Sequence, residues 1–63
     1  MTRKKIKQYK GRLVSVTYKN RRGSNNIVTG LIVADGSTMM IFKQKGRDGL
    51  ELPIRYCDVI HVE

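Results

Sequence analysis

From Leu13 onward, apolar residues recur at every second position, the spacing of a strand with one buried face. In RLVSVTYK, Val14, Val16 and Tyr18 share one side; Ser15, Thr17 and Lys19 share the other, with Leu13 joining them where the strand starts. IVTGLIVA (27–34) is apolar on both sides, as a central or bending strand is, and Gly30 in its middle marks a bulge, a bend or a close backbone approach. Asp35-Gly36 is a tight-turn pair. MMIFK sets Met40 and Phe42 against Met39, Ile41 and Lys43, and QKGRDG supplies a second glycine-rich turn. LELPI points Leu50, Leu52 and Ile54 inward, and Pro53, lacking an N–H, belongs at an edge or a strand end. RYCD reads as a short turn, with one turn of 3₁₀ helix as an option, before a last strand VIHVE.

Short strands divided by polar turns, without helical periodicity between them, predict an all-β fold: a small five-stranded antiparallel barrel over residues 11–63. Its expected core is Val14, Val16, Ile32, Phe42, Leu52, Ile54 and Ile60, with Tyr18 and Cys57 inside and His61 outside. Residues 1–10 are expected to form a basic N-terminal arm, since lysines dominate them; a short helix is the alternative, because Ile6 and Tyr9 lie three apart.

With 63 residues there is material for one domain, which buries only roughly 60% of the surface its unfolded chain exposes. Cys57 has no partner for an internal disulfide, and with His61 it falls short of a zinc ligand set. A reducing compartment, the cytoplasm, is the expectation. No apolar run approaches the roughly 20 residues of a membrane span, so no membrane association is expected. Unpaired edge strands leave a homo-oligomer open, with Pro53 working against a long continuous pairing.

The charge changes the picture more than the size does. Residues 1–34 carry Arg3, Lys4, Lys5, Lys7, Lys10, Arg12, Lys19, Arg21 and Arg22 with no acid, giving +9. Residues 35–63 set four cations (Lys43, Lys45, Arg47, Arg55) against five acids, giving −1, so the net +8 belongs to the first half. Such asymmetry points to a polyanion, usually nucleic acid, because neutralising phosphates releases condensed counterions. An acidic protein partner would be drawn by the same field.

KNRRGSNN (19–26) sits where the first hairpin turns. Arginine forks match phosphate oxygens, and Ser, Asn and backbone N–H groups near Gly23 would add donors. The same residues also suit a long solvated turn, the lesser expectation. No Walker or dinucleotide motif is present, and no cofactor is expected. Of the four rings, Tyr18 and Phe42 alternate with core positions, which leaves Tyr9 and Tyr56 as the candidates for stacking bases. Cys57 and His61 lack the cleft, orienting group and oxyanion donors of a nucleophile-and-base pair, and the carboxylates are scattered, so no catalysis is expected.

The order of strand, variable loop, glycine-bearing second strand, Asp-containing turn, two strands, one-turn connector and closing strand resembles the Sm-like family, including the bacterial Hfq type. The likeness covers Lys10 to Val62 and rests on VTGLIVADGSTMMIF and LPIRYCDVIHV. Asp35 follows Gly30 by five residues where that family has six, Met39 and Met40 stand near its uracil-holding asparagine, and the connector lacks both Arg-Gly-x-Asn and Tyr-Lys-His, although Arg55 and Tyr56 fall there. The rhythm of Ile54, Asp58, Val59 and Ile60 is equally similar to YolD-like proteins of bacteria and their mobile elements, and the strand order to SH3-like barrels in general. The resemblance implies an SH3-like (Sm-like) barrel more firmly than it implies an RNA pocket. The expected function is non-enzymatic binding of RNA or single-stranded DNA by its backbone, through Lys4, Lys5, Lys7, Lys10, Arg12, Lys19, Arg21, Arg22, Arg55 and Tyr56. A phage or mobile-element regulator that docks on a host protein is the alternative.

Overall fold

The computed structural model describes residues 1–46 and 50–63; part of the turn expected at QKGRDG lies outside them. A short helix, α1 (Arg3–Lys7), precedes strands β1 (Leu13–Lys19), β2 (Asn25–Asp35), β3 (Met39–Gln44) and β4 (Glu51–Arg55). One turn of 3₁₀ helix, Tyr56–Asp58, then leads into β5 (Val59–Val62). All pairings are antiparallel, in the order β4-β3-β2-β1-β5. The N-terminal helix, the alternative to the expected arm, and the optional 3₁₀ connector are both present.

One face of the sheet closes around a single core drawn from every strand: Val14 and Val16, Ile32, Met40 and Phe42, Ile54, Val59 and Val62, joined by Tyr56. Ile6 of α1 completes it and is fully buried. The first ten residues are therefore not a free arm: Ile6, with Met1 and Tyr9 packed against the same core, holds the segment in place, and Arg3 and Lys10 tie it to Asp35.

Three residues expected inside lie elsewhere. Ile60 is 51% exposed because β5 carries a shift of register against β1: Tyr18 faces Val59 and Thr17 faces His61, so Ile60 is an extra residue turned outward. Val59 and Val62, three apart, take the inward places instead. Cys57 is exposed because a single 3₁₀ turn aligns residues three apart, and the buried pair is Tyr56 and Val59. Leu50 is exposed ahead of β4, and Leu52 is only half-buried, packed on the rim of the core. Tyr18 is likewise half-buried against the core, and His61 is outward as expected.

β4 and β5 are the outer strands of the sheet. Tyr56 N–H donates to Thr38 O on the β3 side; counting back by twos puts Ile54 and Leu52 on that side and Pro53 on the open edge, where its missing N–H interrupts no bond. No helix among the described residues is long and apolar enough to cross a membrane.

Candidate functional site

The first hairpin turns through Asn20–Ser24, and its chemistry is organised by Asn20. The Asn20 Oδ1 accepts from the N–H groups of Arg22 at 2.9 Å and Ser24 at 3.0 Å. Its carbonyl accepts from Gly23 N–H, and its own N–H donates to Ser24 O. Gly23 has φ +80°, which its missing side chain permits. The amides of residues 22, 23 and 24 are thus all committed within the loop, and the backbone anion cradle expected near Gly23 does not form. What the loop offers an anion is its side chains, Arg21 and Arg22, both exposed.

The other cations divide by what they touch. Arg3 and Lys10 converge on Asp35 at the end of β2, at 3.3 and 2.9 Å, and leave that carboxylate 7% exposed. The hydrogen bond from Lys10 holds the Asp35 pKa below its ordinary range, with Arg3 adding to the effect and desolvation opposing both. Arg12 lies over the half-buried Tyr9 ring, 5.9 Å from its centroid, a cation–π arrangement. Arg55 pairs with Asp58 at 2.9 Å. Among the described residues, Lys4, Lys5, Lys7, Lys19, Arg21 and Arg22 enter no ion pair.

These free charges form two groups. Lys4, Lys5 and Lys7 are on α1, beside the Asp35 end of β2. Lys19, Arg21 and Arg22 are at the opposite end of the β1–β2 ladder, whose pairing runs from Leu13↔Leu31 to Lys19↔Asn25. Seven residues of strand separate the ends by roughly 20 Å at about 3.4 Å per residue. The structure does not gather the expected basic residues into one patch.

Tyr56, the other stacking candidate, is 6% exposed. Its hydroxyl donates to Gly36 O at 2.6 Å, and burial pushes its pKa up. It braces the connector against the β2–β3 turn and presents no ring face to a base.

Beside the hairpin lies a groove of about 550 Å³ that the sequence did not announce. Tyr18, Lys19, Asn20 and Arg21 line it together with residues 52–55 of β4, Met39 and Asp58. It brings Lys19 and Arg21 together with Arg55, three of the expected binding residues. The spacing of Arg55 and Asp58, three apart in the connector, was the available hint that Arg55 would be held by a neighbour. Asn20 at the head of the loop was the hint of an Asx turn. Nothing local in the sequence could bring Tyr18 and Pro53 to one groove, because they lie on β1 and β4, strands that do not pair with each other. Among the described residues, no cluster of His, Cys, Asp and Glu could hold a metal ion. In comparisons with protein-family models, with curated proteins and with solved structures, this chain matches none.

Proposed function

We propose that this chain is a small SH3-like (Sm-like) β-barrel domain without catalytic activity, which binds RNA or single-stranded DNA through its phosphate backbone. Strand order β4-β3-β2-β1-β5 supports the barrel reading: a four-strand meander with β5 returned beside β1 leaves β4 and β5 at the seam such a barrel would have. One observation carries the binding reading. Lys19, Arg21 and Arg22 stand together at the end of the first hairpin, exposed and in no ion pair among the described residues, whereas Arg3, Lys10 and Arg55 are each held by a carboxylate. The cations that tie segments together are paired, and the hairpin cations, in no ion pair among the described residues, are open to phosphate. Lys4, Lys5 and Lys7 form a second, separate contact on α1.

Changing Arg21 and Arg22 together to Gln tests this. Backbone contacts carry no base information, so binding should weaken by a similar factor for oligonucleotides of any sequence. The slope of log affinity against log salt should become shallower by roughly 1.4 to 1.8, for two contacts at about 0.7 to 0.9 each. An unchanged slope would return the loop to a plain solvated turn. A parent protein that binds no oligonucleotide at low salt would favour the protein-docking alternative.

A further inference from the structure

We propose that the groove beside the first hairpin holds one unstacked base of a single-stranded nucleic acid, with the phosphates flanking that base on Lys19 and Arg21. The inference rests on the phosphate-binding reading above and adds a place, a strandedness and a base contact to it.

Three features of the groove lead there. Its volume, about 550 Å³, lies within the roughly 300–1,000 Å³ of sites that enclose small ligands. Tyr18, Met39, Leu52, Pro53 and Ile54 give it an apolar lining, and three cations, Lys19, Arg21 and Arg55, line it with a single acid, Asp58. Phosphate binding alone has no use for an apolar lining. A duplex hides its base faces in the stack, so only an unstacked base has a π-face and ring edges to bury against such a surface. Lys19 follows Tyr18 directly, Arg21 comes two residues later, and all three line the groove, which puts positive charge next to the place where the base would lie.

An acidic extended peptide is the competing occupant of a groove with this charge. Strand addition draws its affinity from an unbroken ladder of main-chain hydrogen bonds. Pro53 breaks that ladder on the open side of β4, where an added strand would pair. Side-chain surface and charge remain, and these suit a base with its phosphates better than a peptide backbone.

Fluorescence anisotropy on the whole chain should compare a labelled single-stranded RNA, a sugar–phosphate strand of the same length without bases, and a duplex. The base-bearing strand should bind at least about fivefold tighter than the abasic one, the lower end of what a stacked base contributes. In the methionine methyl spectrum, Met39 should move with the base-bearing strand and stay still with the abasic one, while Met40, fully buried in the core, moves with neither. Met39→Ser with Pro53→Ser removes apolar surface at two exposed positions without altering charge, and should narrow the gap between the two strands. Equal binding of base-bearing and abasic strands, with Met39 unmoved, overturns the inference and leaves the phosphate-binding reading standing. Absence of binding by all three removes both, and a shift of Met39 on adding a Glu- and Asp-rich peptide would then assign the groove to a protein.

Discussion

Gly30 and Lys43 meet backbone to backbone: a Cβ placed on Gly30 would overlap the Lys43 carbonyl, with no flexible side chain to yield. Gly30 pairs with Val14 on one side and Gln44 on the other, so the crowding occurs in the middle of the sheet, between β1 and β3. The glycine is required by space, since its φ is not in the left-handed region.

Gly30→Ala should therefore destabilise the domain by on the order of 3 kcal/mol, the upper part of the range for forced overpacking. Gly23→Ala provides the contrast. A Cβ there meets open space, but φ is +80°, so the loss should be only about 1 to 2 kcal/mol, the penalty of a left-handed conformation. Urea unfolding of both variants decides whether space or torsion is the larger demand in this fold.

Ile6 makes the N-terminal segment structural. It is fully buried against the strand core, so Ile6→Ala should cost about 2 to 5 kcal/mol, comparable to Phe42→Ala at about 3 to 5. Neutralising Lys4 and Lys5 with Gln, both exposed, should stay within about 0.5 kcal/mol each. Removing residues 1–8 to test their charges would remove a core residue as well, so the helix lysines must be probed by substitution.

The period-2 pattern was sufficient for the strands, the order of turns and most of the core, because alternation is a local property of each segment. It failed at Ile60 and Cys57 for one reason: a register shift and a 3₁₀ turn each change the period for a few residues, and only pairing with a neighbouring strand reveals where. The site was less legible. Charge asymmetry identified the cations but not which would be spent on ion pairs, since Asp35 lies 32 residues from Arg3 and 25 from Lys10. Tyr56 is buried beside Val59 with its hydroxyl on Gly36 O, 20 residues away, a contact no local pattern announces.

Two titrations should bound the stability of the domain. Asp35 has a lowered pKa in the fold, mainly through Lys10, so its stabilisation is present above its ordinary value of 3.8 and is lost as pH falls below that through the folded value. Tyr56 has a raised pKa through burial, so its contribution is present below the ordinary 10.0 and is lost as pH rises above that. Unfolding followed by circular dichroism should show stability falling below about pH 4 and above about pH 10. Asp35→Asn should flatten the acid limb. Tyr56→Phe should flatten the alkaline one, at a cost of about 1 kcal/mol at neutral pH for the hydrogen bond to Gly36.

Asp58 governs how much charge the groove can offer. It holds Arg55 at 2.9 Å and stands among the lining residues as an acid facing three cations, Lys19, Arg21 and Arg55. The pair is exposed on the Arg55 side and contributes little to folding, as surface ion pairs do. Asp58→Asn should therefore leave stability nearly unchanged while it frees the Arg55 guanidinium and removes a repulsive charge from the path of a phosphate. Affinity for single-stranded oligonucleotides should rise, and the salt dependence should steepen by about 0.7 to 0.9, one added phosphate contact. Arg55→Gln in the parent should change the slope far less, because Asp58 already neutralises that arginine. Combining Arg55→Gln with Asp58→Asn should return the slope close to the parent value. If Asp58→Asn leaves both affinity and slope unchanged while Arg21→Gln lowers them, the bound strand follows the hairpin and does not cross the groove to β4.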